Sequence, residues 1–174
     1  MSERIYLITG LMASGKSTVA QALAERLLPK SVHLRGDRFR KMIVNGQAEM
    51  IGVHLSEEAQ AQLKLRYEIA AEAAKRYADA GFAVAYQDII IGPALQEVVD
   101  RFKGYHLSVT VLCPDAETIA LRESARPKTG YQRLEDIPLF DRVLREETPK
   151  IGEWLDTSWL SVDETVDRIL EAAG

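Results

Sequence analysis

The stretch that decides the fold is Gly10-Leu11-Met12-Ala13-Ser14-Gly15-Lys16-Ser17. It matches the pattern Gly, any four residues, Gly, Lys, and Ser or Thr, whose backbone N–H groups curl around a polyphosphate. The apolar run at residues 5–8 predicts a strand before it, and a helix is predicted after it, with its positive N-terminal end facing the same anion. Strand, glycine-containing loop and helix in this order are the context that the pattern requires. The sequence therefore predicts a nucleoside triphosphate site at residues 10–17.

The positions of this loop have separate predicted roles. Gly10 and Gly15 carry no Cβ, so the backbone can approach the phosphates closely. Lys16 is expected to reach the β- and γ-phosphates, and the Ser17 hydroxyl to bind a Mg²⁺ ion that bridges them. ATP is the expected nucleotide. The predicted nucleotide-binding residues of the loop are Gly10, Ala13, Ser14, Gly15, Lys16, Ser17 and Thr18.

Outside the loop, short β-rich apolar runs alternate with longer helical patterns, which predicts a parallel sheet with helices on both faces. The predicted strands are residues 5–9, 31–34, 82–87, 107–112 and 158–160. The predicted helices are residues 17–28, 38–44, 56–80, 93–102 and 115–125, with one more beginning after Ser161. The expected fold is a three-layer α/β/α arrangement around a central parallel sheet of about five strands.

The composition limits the class of protein. The chain has 174 residues, with 22 Lys and Arg against 26 Asp and Glu and a formal net charge of −4, which argues against a protein that coats nucleic acid. Its one cysteine, Cys113, excludes an internal disulfide framework and fits a reducing, cytoplasmic location. No run approaches the roughly 18 apolar residues of a membrane helix. We therefore expect a small-molecule partner rather than nucleic acid or a membrane, and a monomer or homodimer.

Two carboxylates follow predicted strands and should meet at one edge of the sheet. Asp37, in Leu34-Arg35-Gly36-Asp37-Arg38-Phe39-Arg40, can accept a proton from an attacking hydroxyl or orient that hydroxyl; alternatively it caps the next helix. Asp88 can assist the metal through water or bond the acceptor; alternatively it is a turn residue. Arg40 can hold an anionic or polar acceptor or be a surface residue. The apolar residues after this segment are expected in an acceptor pocket or in the core: Met42, Ile43, Met50, Ile51 and Val53.

The segment at about residues 122–150 is rich in charge and predicts a mobile lid. Arg122 and Arg126 lie one helical turn apart at the end of a predicted helix, where both can bind the phosphates and stabilise the transferring group. Arg133 is a further candidate. The turn-forming residues 127–131 follow directly, as expected of a flap over an anion. The alternative is a solvated pair of charge-laced helices.

The phosphate loop and the order of elements resemble the small P-loop kinases of the adenylate-kinase-like group, most closely the chloramphenicol phosphotransferase-like family. This resemblance implies transfer of the γ-phosphate of ATP to a hydroxyl of a small molecule, in some members an antibiotic, with consequent resistance. It implies that Asp37 is the catalytic carboxylate, assisted by Lys16, and that residues 122–126 belong to the lid. The acceptor stays open, because residues 35–40 also resemble adenylylsulfate, gluconate and zeta-toxin-type sugar-nucleotide kinases. One kinase domain over residues 1–174 is expected; the alternative is an ATP-dependent switch module without phosphate transfer.

Overall fold

The computed structural model describes residues 3–127 and 134–174. It contains a five-stranded sheet in which each neighbouring pair of strands is parallel, in the order β2-β3-β1-β4-β5. The strands are β1 (Ile5–Gly10), β2 (Ser31–Arg35), β3 (Ala83–Gln87), β4 (Leu107–Leu112) and β5 (Glu153–Leu155). Four of them confirm the predicted strands.

The sequence predicts the fifth strand at residues 158–160, and this prediction is wrong. The structure forms β5 five residues earlier, where Thr110 to Leu112 of β4 are in register with Glu153 to Leu155. Residues 158–160 form a turn instead, because the Ser158 N–H donates to the Asp156 carboxylate and the Leu160 N–H donates to the Thr157 carbonyl. The side-chain acceptor at Asp156 stabilises a turn in place of an extended strand.

Seven α-helices occur in the described part of the chain. They are α1 (Lys16–Arg26), α2 (Asp37–Lys41), α3 (Glu57–Asp79), α4 (Ala94–Asp100), α5 (Ala116–Ser124), α6 (Ile137–Arg142) and α7 (Val162–Ala173). A 3-10 turn, Leu134–Asp136, precedes α6, and a π-helical turn, Val143–Glu147, follows it. Helix α2 is shorter than predicted, because the β-branched residues Ile43 and Val44 lead into Gly46, whose φ of 81° favours a turn.

Polar caps fix the ends of the long helices where the sequence predicts them. The Ser56 side chain accepts a hydrogen bond from the Ala59 N–H at the start of α3. Ser161 and Glu164 form a capping box at the start of α7. Caps of this kind contribute about 1 kcal/mol each. The boundaries of α3 and α7 are therefore set by local chemistry as well as by packing.

The helices cover both faces of the sheet, which confirms the three-layer α/β/α fold. One core cluster joins the sheet to α3, α4, α5 and α6, and Tyr67, Ala70 and Ala74 of α3 are buried in it as predicted. The three-to-four spacing of the apolar residues in α3 predicts one buried stripe made of Leu63, Tyr67, Ala70, Ala74 and Tyr77. Tyr77 departs from this prediction, because it is exposed and packs its ring edge-on against Phe82. A second cluster joins α1 and α7 to the opposite face.

The carboxyl ends of β1, β2 and β3 meet at one edge of the sheet. The phosphate loop, the segment from Gly36 and the segment from Asp88 begin there, so the fold brings the predicted site residues together. Among the described residues, no helix combines the length and apolar character needed to cross a bilayer.

Candidate active site

The phosphate loop lies between the end of β1 and the start of α1, with tight contacts to β4. A Cβ on Gly10 would lie 2.6 Å from the Leu112 carbonyl oxygen, so only glycine fits there. Gly15 has φ of 94° and Ala13 has φ of 61°, which are the left-handed conformations that allow the N–H groups of a loop to face an anion. The Ser14 hydroxyl is buried and has no hydrogen-bond partner among the described residues. This cradle fits a polyphosphate.

The Lys16 side chain is buried within the loop, where its Nζ donates to the Leu11 carbonyl oxygen at 2.7 Å. Burial lowers the pKa of Lys16 to about 8, although the Asp88 and Asp37 carboxylates raise it. The charges of Arg126 and Arg66 act in the same direction as burial, and the pKa of about 8 includes all of these effects. Charges from the neighbouring segments therefore act on one ammonium group, which is mostly protonated at pH 7.

Ser17 and Thr18 line an open cavity of about 500 Å³, together with Gln21, His33 and Arg35. In residues 3–127 and 134–174, no group of three or more His, Cys, Asp or Glu side chains could hold a metal ion. A hydroxyl at the start of α1 suits Mg²⁺, which prefers oxygen ligands and usually takes the others from phosphates and water. The residues present therefore fit a metal ion that arrives with the nucleotide.

Asp37 is the first residue of α2, and its carboxylate bonds to cations rather than capping the helix. Its Oδ2 lies 2.7 Å from the Lys41 Nζ, and its Oδ1 lies 3.8 Å from the Arg35 Nε. Burial alone would raise the pKa of Asp37. The hydrogen bond and charge of Lys41, with the charges of Arg35 and Arg66, outweigh burial and hold this pKa below its ordinary value. The carboxylate is therefore ionised at neutral pH.

Asp88 lies directly after β3, as predicted, but its carboxylate is fully buried in an ion pair with Arg66. The Arg66 Nη2 lies 2.6 Å from Oδ1, the Arg66 Nε lies 3.3 Å from Oδ2, and the Ile89 N–H donates to Oδ1 at 2.8 Å. Burial raises the pKa of Asp88, while Arg66 opposes this shift. Contact of Asp88 with an acceptor or metal-bound water would require this pair to open.

Arg66 is the site residue that sequence reasoning missed. It lies on α3 with its side chain only 9% exposed, on the helical face that also carries the buried Tyr67 and Ala70. A charged residue in an apolar stripe is a usable signal, because a buried guanidinium requires a carboxylate partner. The sequence pattern did not identify that partner, since Asp88 is 22 residues away.

Of the predicted lid arginines, Arg122 contacts the phosphate loop. Its Nη1 donates to the Ser14 carbonyl and its Nη2 to the Thr157 carbonyl, each at 3.3 Å. The Arg126 Nη1 lies 3.1 Å from a carboxylate oxygen of the buried Glu123, while its charge still acts on Lys16. Arg133 lies outside the described residues. Arg122 therefore lies at the phosphate loop, whereas Arg126 forms an ion pair with Glu123.

On the acceptor side, Arg40 holds the loop that follows α2. Its Nη2 donates to the Ala48 carbonyl, and its own carbonyl accepts from the Gln47 side chain. Contact of Arg40 with an acceptor stays a prediction. Met42 and Ile51 are 68% and 45% exposed, so the core alternative is wrong for both. Both side chains therefore expose apolar surface in the segment that follows Asp37 in the chain.

A family model described as an AAA domain matches residues 5–139 of the chain. The chain belongs to this AAA-domain family of P-loop kinases. A relative from Halalkalibacterium halodurans, named a probable adenylyl-sulfate kinase, is 33% identical over 177 residues, which cover 95% of this chain and 80% of the relative.

Two solved structures show the same fold. The Mycobacterium tuberculosis APS kinase in complex with AMPPNP and APS has a TM-score of 0.68 and 19% identity, with coverage of 98% of this chain and 97% of that chain. A gluconokinase from Sinorhizobium meliloti 1021 has a TM-score of 0.68 and 17% identity, with coverage of 99% and 91%. The predicted P-loop kinase resemblance is thereby confirmed, whereas the narrower chloramphenicol phosphotransferase-like resemblance stays a prediction.

The P-loop kinase site therefore has a nucleotide side rich in hydrogen-bond donors and an acceptor side that carries an ionised carboxylate. The phosphate loop, the start of α1, Lys16 and Arg122 provide hydrogen-bond donors and positive charge. Asp37 provides an ionised acceptor on the opposite side. This arrangement can stabilise a polyphosphate and orient a hydroxyl that approaches it.

Proposed function

We propose that this P-loop kinase is an ATP- and Mg²⁺-dependent phosphotransferase that moves the γ-phosphate to a hydroxyl of a small molecule. The observation that carries the proposal is that Lys16 follows β1 and Asp37 follows β2, and these two parallel strands flank β3 and end at the same edge of the sheet. The charge of Asp37 also raises the pKa of Lys16. Lys16 belongs to the phosphate loop and Asp37 begins α2, so a donor phosphate and an acceptor hydroxyl have a common meeting point.

On the nucleotide side, the backbone of residues 10–17 holds the phosphates, and Lys16 exchanges its bond with Leu11 for bonds to the phosphate oxygens. Arg122 stabilises the charge that develops during transfer, and Arg126 joins it when released from Glu123. The Ser17 hydroxyl would hold Mg²⁺, and the ion would neutralise phosphate charge. The segment at about residues 122–150, of which residues 128–133 lie outside the described part of the chain, is the proposed lid that would exclude water from the reaction.

On the acceptor side, Asp37 accepts a hydrogen bond from the attacking hydroxyl and aligns its oxygen with the γ-phosphorus. The bond from that oxygen to phosphorus forms while the bond from phosphorus to the β,γ-bridging oxygen of ATP breaks, leaving ADP. The hydroxyl proton passes to Asp37 and then to solvent. The lowered pKa of Asp37 suits this orienting role, because a loose transition state needs little help from a strong base.

The acceptor class that we propose carries an anionic group. Arg35, Arg38 and Arg40 lie on both sides of Asp37 and give this segment a concentration of positive charge. The adenylyl-sulfate kinase and gluconokinase names of the relatives agree with such an acceptor. A hydroxylated antibiotic is the second candidate, because Met42 and Ile51 expose apolar surface next to the same segment.

The test measures ADP release from Mg-ATP with adenylyl sulfate, gluconate and chloramphenicol as acceptors, and phosphate addition by mass spectrometry. One acceptor is expected to gain a single phosphate. The Asp37→Asn variant is expected to bind ATP normally and to lose about 100-fold or more in transfer, the range for a positioned acid or base.

The matched control is Asp167→Asn, because Asp167 forms an exposed pair with Arg26 on another face of the protein. Its turnover is expected to equal that of the wild type. Undiminished transfer by Asp37→Asn would remove the assigned role of that carboxylate. ATP binding without transfer to any acceptor would favour the nucleotide-dependent switch instead.

A further inference from the structure

The Arg66 and Asp88 side chains form a buried pair beneath the crevice. Their exposed fractions are 9% and 0%. Arg66 contacts both carboxylate oxygens of Asp88, and the Ile89 N–H and the Tyr86 hydroxyl add bonds at 2.8 and 3.4 Å. A bidentate guanidinium contact fixes both the position and the orientation of a carboxylate. Asp88 therefore has one defined place at the end of β3.

That carboxylate packs directly against the backbone of Gly36. A Cβ on Gly36 would overlap the Asp88 Oδ2 and would lie 2.6 Å from the Asp88 Cγ. The Gly36 N–H also donates to the Gln87 carbonyl at 3.0 Å. Gly36 has an ordinary φ of −61°, so this close approach, and not an unusual backbone conformation, is the reason for glycine. The turn into α2 therefore rests on the Asp88 carboxylate.

Helix α2 is short and partly exposed, and its Phe39 packs against the core two residues after Asp37. It contains five residues and none of them is buried. Asp37 is the first of these residues and directly follows Gly36, so a shift of the Gly36 backbone moves the Asp37 carboxylate as well. The position of Asp37 relative to the phosphate loop thus depends on contacts at residue 36.

We propose that Arg66 is a positioning residue for phosphoryl transfer: by fixing the Asp88 carboxylate, it holds Gly36 and therefore Asp37 at the carboxyl end of the sheet. This inference rests on the proposed function. Arg66 acts through Asp88 and Gly36 and is assigned no contact with the nucleotide. An ion pair that served folding alone would leave turnover unchanged in variants that remain folded.

The first experiment compares Arg66→Lys with the wild type by steady-state kinetics and thermal unfolding. A lysine ammonium can bond one carboxylate oxygen but cannot reproduce the bidentate contact. The kcat for transfer is expected to fall about 10-fold, while the KM for Mg-ATP stays within about twofold. Arg66→Met is expected to lose about 100-fold, as for a displacement of the reacting groups by about 1 Å. Unchanged kcat in folded Arg66→Lys overturns the proposal, as does an equal loss in ATP affinity.

The second experiment tests whether Arg66 acts through Gly36. The Gly36→Ala variant places a methyl group against Asp88 and is expected to lower kcat by about 100-fold. Adding Arg66→Lys to Gly36→Ala should lower kcat no further, because both substitutions disturb one contact. If the two substitutions lowered kcat by the product of their separate effects, Arg66 would not act through Gly36. Arg101→Lys is the control, since Arg101 forms a more exposed pair with Glu68 of the same helix α3, and its kcat is expected to be unchanged.

Crystal structures of Arg66→Lys and Gly36→Ala provide a readout that needs no acceptor. The start of α2 and Asp37 are expected to shift relative to the phosphate loop, whose own conformation stays as in the wild type. Asp37 in its original place in both variants would overturn the proposal. If the wild type transfers phosphate to no acceptor, the proposed function fails, while these structures still decide whether Arg66 positions Asp37.

Discussion

The phosphate loop and the acceptor segment, residues 36–53, begin at the same edge of the sheet but are built differently. The loop is enclosed, with Gly10 packed on β4 and Lys16 buried within it. The acceptor segment is open, and Met42 and Val44 are 68% and 89% exposed. Every nucleoside triphosphate presents the same phosphates, so one rigid cradle serves them all. An acceptor varies between enzymes, and this segment leaves its surface free to match one.

The largest difference between the two regions is expected when the charge at the centre of the phosphate loop is removed. Lys16→Met is expected to lower kcat/KM for Mg-ATP by about 10²–10³-fold, because methionine cannot supply the positive charge that the ammonium brings to the phosphates. Steady-state kinetics and ATP calorimetry measure this effect. Lys103→Met, at a side chain that is 80% exposed, is the control. Equal ATP affinity in Lys16→Met and the wild type would contradict the assignment of the loop.

The tight packing of the loop gives the second prediction. Gly10→Ala forces a Cβ to within 2.6 Å of the Leu112 carbonyl oxygen and is expected to cost about 1–3 kcal/mol of unfolding free energy. ATP affinity should fall with it. Gly104→Ala is the control, because its Cβ meets no atom within 4 Å and only its φ of 88° is unfavourable. Urea unfolding should show a loss of about 1–2 kcal/mol there, with ATP affinity unchanged.

The two sides of the site should also differ in their response to pH. The pKa of Lys16 is lowered to about 8, and only its charged form attracts phosphates. ATP affinity is therefore expected to be constant below about pH 7 and to fall as pH rises through 8, by at most tenfold per unit. The pKa of Asp37 lies below its ordinary value of 3.8, so Asp37 stays charged over this range. Calorimetry between pH 6 and 10 should show an alkaline loss that Lys16→Met lacks.

Substitution of the exposed apolar residues should have the smallest effect on folding. Met42→Ser and Val44→Ser are each expected to change the unfolding free energy by less than about 0.5 kcal/mol, because both side chains are already in water. The KM for Mg-ATP should not change, whereas the KM for the acceptor should. A change in the KM for Mg-ATP alone would contradict the assignment of residues 36–53 to the acceptor.

The features that local sequence chemistry determines could be predicted. The phosphate loop, the caps at Ser56 and Ser161 and the position of Asp37 after β2 depend on spacing within a few residues. Strand β5 has three residues, too few for a period-two pattern to be distinguished from a turn. The sequence therefore predicts the strands and loops that carry the site, but not the position of the last strand of the sheet.

Features that depend on distant partners could not be predicted. Asp88 was placed correctly at the end of β3, but its neutralisation by Arg66 depends on how α3 packs across the sheet. The direct contact of Arg122 with Ser14 joins residues 108 positions apart. The apolar residues Met42 and Ile51 had an ambiguous pattern, because exposure of a short segment depends on what the rest of the fold leaves uncovered.

A ligand that binds to Lys16 must first replace the hydrogen bond from Lys16 to the Leu11 carbonyl oxygen. An incoming ligand gains only the difference between its own bond to the ammonium and the one that it displaces. Inorganic phosphate, a single small group, makes few compensating contacts, whereas a triphosphate chain makes many along the whole loop. We therefore expect the resting bond of Lys16 to weaken the binding of free phosphate more than that of a triphosphate.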